Sequence, residues 1–237
     1  MTEYVAGVDG CKSGWLAAIY NLEDGLFTLT VHSTFRELLD STENATSIAI
    51  DIPIGLTETC EPRQCDQLAR RLIGPRRSSV FTAPDRRILA IQTYQEALVW
   101  SRSNTASGKG IAQQAFAIYR KILEVDRIMT PKLQDRVIEV HPELCFWELA
   151  GKRPLQHPKR WPEGFGERHE MLKRAFPNAE IPNRAEARRL ATGVGPDDVL
   201  DALAAAWTAA RFASGVAERV PMIASLDPRG LRMEMVY

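Results

Sequence analysis

The chain has 237 residues, of which 45% are hydrophobic and 25% are charged. These values are ordinary for a globular protein with a buried core, and the length suits one large domain or one domain with an insertion. Lysine plus arginine equals aspartate plus glutamate, at 30 each, so the net charge is zero. No global field therefore attracts nucleic acid, and any binding to it must depend on local basic clusters.

Several classes of protein are excluded or disfavoured by simple counts. Four cysteines are too few for a disulfide framework in a chain of this length, and no pattern of Cys and His pairs predicts a zinc site. No basic segment followed by an apolar one opens the chain, and no apolar run reaches about 18 residues. We therefore expect no signal peptide, no membrane span and a cytoplasmic protein.

The beginning of the chain carries three strand patterns. Apolar or alternating runs lie at 4–8, 15–20 and 27–32, and glycine-containing turns separate them. Short turns between consecutive strands predict an antiparallel meander.

A helix and a fourth strand follow. Thr34 with Glu37 three residues later is a capping-box pattern, which predicts a short helix to about Leu39. The run 47–51 predicts a buried strand that Pro53 stops. The order β-β-β-α-β is the opening of an RNase H-like sheet, although other α+β folds can begin in this way.

The next part of the chain lacks strand patterns. Helical spacing of apolar residues occurs at 64–72, 93–101 and 111–128. We interpret about 57–135 as a helical insertion in a single domain that covers 1–237.

The last hundred residues return to an α/β pattern. A strand is predicted at 136–140 and a helix at 142–149, and 151–168 has the composition of an exposed loop. An amphipathic helix is predicted at 167–176. The segment 196–213 is the most convincing helix, with an early proline, acids in its first turn and then an Ala/Leu run.

Two acids stand at the ends of apolar strand patterns. Asp9 is followed by a glycine-rich turn, and Asp51 by a proline and a glycine. Each alone could be a turn aspartate that binds backbone amides. If the two strands are neighbours, however, the carboxylates meet at one sheet end, where a divalent cation such as Mg²⁺ or Mn²⁺ would relieve their repulsion.

Three further acids lie on the late helix. Asp197, Asp198 and Asp201 share one side of it by their spacing. Acids in a first turn complement the helix dipole, and this is enough to explain why Asp197 and Asp198 occur there. Asp201 lies deeper among Leu and Ala residues, so we favour a functional role for it.

Another charged group follows the strand at 136–140. Glu139 and His141 point to the same face by alternation, and Glu143 lies at the helix start. A metal ligand or substrate contact and a buried ion pair with an arginine are equally compatible with this pattern.

Basic residues form two clusters that could hold phosphate. The first runs from Arg63 to Arg87, and its expected phosphate contacts are Arg76, Arg77, Ser78 and Ser79, together with Lys12 in the turn after Asp9. The second, weaker cluster contains Lys152, Arg153, Lys159 and Arg160. A solvated helical face is the alternative for both.

These motifs together resemble a family of predicted RNase H-like nucleases, catalogued as domain of unknown function 429. The resemblance rests on the stretches 7–15, 50–56, 63–81, 139–143 and 198–204 and runs through most of the chain. A more distant similarity to RuvC-type resolvases lies in the acids of the first and fourth strands and in Asp-x-x-Asp-Ala-Leu-Ala at 198–204. The long helical insertion departs from simple RNase H domains.

The resemblance implies two-metal phosphodiester hydrolysis with Mg²⁺ or Mn²⁺. Asp9 would bridge both ions, Asp51 and Asp201 would each hold one, and Asp198 and Glu139 would be lesser or outer ligands. The expected substrate is nucleic acid or a small phosphoester, and a homodimer is left open.

Two alternatives belong to other classes. An actin-like phosphotransferase or nucleotide-binding protein would use the same sheet, but it would need a second Asp-Gly-rich loop, which the sequence lacks. A nucleic-acid-binding protein without turnover is the other alternative, and retention of all the acids argues against it.

Overall fold

A computed structural model describes residues 3–105, 108, 110–111 and 113–237. Five strands form its central sheet: β1 (Tyr4–Cys11), β2 (Gly14–Asn21), β3 (Phe27–His32), β4 (Ile48–Ile50) and β5 (Val137–Glu139). Their spatial order is β3-β2-β1-β4-β5. The first three strands are antiparallel, and β4 and β5 run parallel to β1. This confirms the predicted mixed sheet and is consistent with an RNase H-like fold.

Helices flank the sheet and fill the predicted insertion. They are α1 (Phe35–Ser41), α2 (Gln64–Ile73), α3 (Tyr94–Asn104), α4 (Gln113–Ala117), α5 (Tyr119–Ile128), α6 (Pro142–Leu149), α7 (Pro162–Ala175), α8 (Arg184–Ala187) and α9 (Pro196–Ala213). Short 3-10 segments lie at Gly74–Ser79, Arg86–Ala90 and Leu133–Asp135. A separate antiparallel pair, β6 (Arg219–Leu226) and β7 (Arg232–Val236), ends the chain.

The late helix lies directly against the first strand. A Cβ atom on Gly7 of β1 would lie 1.9 Å from the Ala206 nitrogen and 2.1 Å from the Ala202 oxygen, so no other residue fits there. Ala204 and Ala205 are fully buried on the helix. Because small residues line this contact, α9 approaches the sheet backbone closely and carries its acids to the strand ends.

Alternation along β1 divides the core between the two faces of the sheet. Val5 packs with the buried residues of α9, whereas Ala6 and Val8 pack with Phe35 of α1 and Ile122 of α5. Complete burial of a large apolar side chain contributes about 1.5–3 kcal/mol. Both layers therefore hold the end of β1 in a fixed position.

Two sequence predictions for the secondary structure were wrong. The helix predicted at 111–128 is interrupted at Ile118, whose amide donates to Ala115 O, three residues back, and Ala112 lies outside the described residues. Part of the predicted loop 151–168 is the first half of α7, because Pro162 occupies an early helical position that suits proline. The β6–β7 pair was not predicted. Within the described residues, no helix has the length and apolar character needed to cross a membrane.

Candidate metal centre

Two strand ends and one helix bring three carboxylates together. Strands β1 and β4 pair in parallel, with Val8 opposite Ile50, so Asp9 and Asp51 come next to each other at the sheet end. This confirms the predicted adjacency of the two strands. Asp201 approaches from α9, and each of the three acids offers an oxygen that lies within 4.8 Å of the other two. We call Asp9, Asp51 and Asp201 the acidic trio.

The hydrogen bonds of the acidic trio leave oxygens for a ligand. Asp9 and Asp201 are buried and Asp51 is half-buried. Asp9 Oδ1 accepts a hydrogen bond of 2.8 Å from the Gly10 amide. Asp201 Oδ1 is buried without a hydrogen-bond partner among the described residues. A buried carboxylate oxygen with no donor is costly, and a cation at this point would satisfy it.

Burial and mutual repulsion make the acidic trio hold protons unusually tightly. Burial, followed by the charges of Asp201 and Asp51, raises the pKa of Asp9 well above its usual range. Burial and the charge of Asp201 raise the pKa of Asp51 to about 8. Burial raises the pKa of Asp201 to about 6, against the lowering effect of Lys159. A bound cation would reverse this balance and favour the ionised carboxylates.

A lysine from a distant part of the chain contacts the acidic trio. Lys159, in the segment before α7, donates a hydrogen bond from Nζ to Asp201 Oδ2. Burial alone would lower the pKa of Lys159, but the charges of Asp201 and Asp9 raise it. Its sequence context predicts only a place in the weaker basic cluster. The two residues are 42 positions apart, so no local pattern reveals the pair.

The other acid predicted on the late helix is used differently. Asp198 Oδ2 accepts a hydrogen bond of 2.7 Å from the Gly195 amide and so caps the start of α9. It is not one of the acidic trio, and its assignment as a metal ligand stays a prediction. Burial raises its pKa.

Glu139 forms the buried ion pair that the sequence left open as an alternative. Its Oε1 and Oε2 accept hydrogen bonds of 2.6 and 2.8 Å from Arg63, and Oε2 also accepts one of 2.6 Å from the Ile54 amide. Arg63 is itself buried and also binds Asp66 at 2.6 Å. Burial raises the pKa of Glu139 to about 7, although Arg63 opposes the shift. These contacts occupy both oxygens, so Glu139 lies beside the trio without joining it.

His141 and Glu143, the two other titratable residues of the stretch 139–143, are also buried. Glu143 accepts two hydrogen bonds, of 2.8 and 2.7 Å, from Arg168, and the Arg76 guanidinium lies 4.0 Å from it. His141 lines one small hollow together with Asp51. Burial lowers the pKa of His141 to about 4, so its imidazole is neutral at physiological pH.

The predicted phosphate-binding residues do not form one group. The 3-10 segment Gly74–Ser79 directly follows α2, and within it Arg77 and Ser78 are exposed. Arg76 instead points towards Glu143, and Ser79 Oγ donates to the Arg76 carbonyl at 2.8 Å. Lys12 is exposed in the turn after Asp9.

The acidic trio could bind a metal ion. No curated protein and no solved structure is significantly similar to the chain. A family model described as "Protein of unknown function (DUF429)" matches residues 7–224, which is most of the chain. The chain therefore belongs to the DUF429 family.

Proposed function

We propose that the protein is a metal-dependent nuclease that hydrolyses phosphodiester bonds at the acidic trio. The observation that supports this most directly is the meeting of Asp9, Asp51 and Asp201 within 4.8 Å, with one buried oxygen of Asp201 lacking any described donor. Carboxylate oxygens at this density are the ligands that Mg²⁺ and Mn²⁺ prefer. The cofactor we propose is therefore Mg²⁺ or Mn²⁺.

The three acids would hold the cation from two strand ends and a helix. Such an ion supplies an activated water nucleophile and neutralises charge on the phosphate and the leaving oxygen. A second ion would require a further carboxylate. Asp198 would supply it after giving up its hydrogen bond from the Gly195 amide. Glu139 would act as a positioning residue, because its pair with Arg63 fixes the backbone just after Asp51 through the Ile54 amide.

Lys159 would contribute positive charge at the same point. In the absence of a cation its ammonium group partly neutralises the acidic trio through Asp201. When substrate is present, the same group is close enough to the trio to offer a charged donor to a phosphate oxygen. Exposed Lys12, Arg77 and Ser78 would bind neighbouring phosphates of the substrate.

A cleavage assay tests this proposal. Purified protein is incubated with single- and double-stranded DNA and RNA, a small phosphodiester and ATP, in Mg²⁺, in Mn²⁺ and in EDTA. We expect cleavage of a phosphodiester that EDTA stops and that Asp51→Asn reduces at least about a hundredfold, which is comparable to the loss of about 10²–10³ in rate on removing one preorganised group that stabilises a transition state.

The matched control is Asp40→Asn, which alters an exposed acid of α1 and should cleave normally. Turnover of ATP alone would favour the phosphotransferase alternative instead. Cleavage that survives in Asp51→Asn would also contradict the proposal, because the activity would then come from another site or from a contaminant.

A further inference from the structure

The helical insertion forms an open cavity of about 840 Å³. The described residues that line it all lie between Thr57 and Tyr119, which is within the insertion. This volume is within the range of about 300–1,000 Å³ that small-molecule sites occupy. A cavity of this size, in an insertion that simple RNase H domains lack, is a candidate ligand site.

We propose that this cavity binds one nucleoside phosphate, with the base between aromatic side chains and the phosphate at Arg77 and Ser78. The inference builds on the proposed function and narrows its substrate class. The same chemistry could come from a free nucleotide or from a single nucleotide of a strand whose backbone reaches the acidic trio.

The aromatic part of the wall suits a base. Phe81, Trp100 and Tyr119 line the cavity together with the buried side chain of Ile88. The Arg87 guanidinium lies 5.4 Å from the centroid of the Trp100 ring, which holds the ring in place. A base that is out of its stack is commonly held against aromatic side chains in this way.

The polar part of the wall offers an arginine that no described residue pairs with. Arg77 lines the cavity, is exposed, and forms no hydrogen bond or ion pair with any described residue. Arg70 also lines the cavity, but its Nε donates to Val80 O at 2.8 Å and its NH2 group to Thr82 Oγ1 at 3.0 Å. Arg70 therefore fixes the wall, and Arg77 remains available for an anion.

Two acids on the same wall do not prevent phosphate binding. Asp85 lies 2.8 Å from Arg87 and also accepts from the Cys60 amide, so its charge is neutralised. Glu61 is exposed to solvent, which screens its charge.

The cavity shares part of its wall with a small hollow that Asp51 of the acidic trio lines. Val80 and Phe81 line the cavity, and the same two residues line the small hollow that contains Asp51 and Glu139. A strand with one phosphate at Arg77 could therefore continue past Val80 and Phe81 towards Asp51. This relationship is the reason to assign the cavity to the substrate.

Binding measurements in excess EDTA test the inference without turnover. Isothermal titration is carried out on the full chain with AMP, adenosine, ribose 5-phosphate and a short single-stranded DNA. We expect AMP or the DNA to bind, and expect Trp100→Ala to weaken that binding about 5- to 100-fold while Trp100→Phe retains most of it. Arg77→Ala should weaken it about tenfold. Val99→Ala and Arg71→Ala, exposed neighbours outside the cavity, should bind normally, and melting curves check that each variant folds.

Each outcome decides one question. Tighter binding of the DNA than of AMP, with equal losses in the variants, assigns the cavity to a strand, and the reverse order assigns it to a free nucleotide. If neither probe binds, or if folded Trp100→Ala and Arg77→Ala bind as well as the wild type, the inference is wrong even where cleavage occurs. Binding that follows the predicted pattern in a protein that cleaves nothing would support the cavity and overturn the proposed nuclease.

Discussion

Lys159 and Asp201 form an ion pair at the acidic trio, while the second carboxylate oxygen of Asp201 is buried without a described donor. One side of this carboxylate is thus neutralised by the protein itself, and the other is left for an external cation. The pair joins the segment before α7 to the late helix. It therefore connects the stability of the metal-free protein with the affinity of the site for metal.

Replacement of the lysine should separate these two effects. Lys159→Met retains the length of the side chain but removes its charge, so the metal-free protein should lose about 1–3 kcal/mol of unfolding free energy. The stabilisation gained on adding Mn²⁺ should increase, because the variant has lost a competing cation. Urea unfolding with and without Mn²⁺ measures both. Lys152→Met, which removes an exposed pair with Glu218, should change neither the metal-free stability nor the stabilisation by Mn²⁺. If Mn²⁺ stabilises Lys159→Met no more than it stabilises the wild type, Lys159 does not compete with the metal.

Removal of one charge from the trio should relieve repulsion. Asp9→Asn keeps the shape of the side chain and its bond from Gly10, and it removes the carboxylate whose pKa is raised by burial and by both neighbouring acids. We expect the metal-free melting temperature to be equal to or higher than that of the wild type. The increase on adding Mn²⁺ should disappear. Melting curves with and without Mn²⁺ check this. A metal-free variant that melts well below the wild type would contradict repulsion among the carboxylates of the trio.

The raised pKa values predict that metal-free stability falls with rising pH. The pKa of Asp51 is about 8 in the folded protein, far above the value of about 3.9 in an unfolded chain, so folding retains a proton that unfolding releases. Its contribution is complete below the unfolded pKa and is lost as the pH rises through about 8. His141 acts in the opposite direction only at lower pH, since its folded pKa is about 4 and its unfolded value about 6.5.

The informative window therefore lies between about pH 6.5 and 8. There the unfolding free energy should fall by up to about 1.4 kcal/mol per pH unit for each retained proton. Urea unfolding in EDTA measures the slope, which saturating Mn²⁺ and Asp51→Asn should both flatten. A metal-free stability that stays flat through this window would show that the trio is already ionised without metal.

The buried pair of Arg63 and Glu139 should be structural. Arg63→Met leaves Glu139 and Asp66 without their shared partner, so the unfolding free energy should fall by about 3–5 kcal/mol. Arg71→Met changes an exposed arginine of α2, the helix that begins just after Arg63, and should alter stability by no more than about 0.5 kcal/mol. Urea unfolding measures both variants. Equal stabilities would mean that the pair is not structural and that Glu139 is available as a metal ligand.

Two neighbouring arginines should behave differently. Arg77→Ala should reduce the dependence of DNA affinity on salt by about one unit of log–log slope, the value for one phosphate contact, and leave stability unchanged. Arg76 lies beside the buried Glu143, so Arg76→Ala should mainly lower the melting temperature. Titrations at several salt concentrations, together with melts, separate the two. Identical behaviour of the two variants would contradict the distinct placements.

Local patterns in the sequence predicted the parts of the site that local backbone geometry determines. Apolar runs that end in an acid predicted β1 and β4, and parallel pairing then placed Asp9 beside Asp51. The Ala/Leu run around Asp201 predicted a helix that packs closely, and Gly7 is the matching residue on the strand. These features depend on neighbours in the sequence, which is why a single chain reveals them.

What the sequence did not predict depends on contacts between distant segments. The Arg63–Glu139 pair spans 76 positions, and nothing near either residue specifies the other. Strand β6 was missed because Pro221 interrupts its pattern and the register with β7 shifts there. The division of roles between Arg76 and Arg77 likewise follows from where α6 packs, and not from their shared sequence context.

The central claim, that the acidic trio binds a divalent cation, is tested most directly by crystals soaked in Mn²⁺ and measured for anomalous scattering. We predict a peak bound by oxygens of Asp9, Asp51 and Asp201, with Lys159 moved away from Asp201 or still bonded through Oδ2 alone. Asp51→Asn crystals soaked in the same way should show a weaker peak or none. Saturating Mn²⁺ that leaves no anomalous peak at these carboxylates in the wild type would contradict the account.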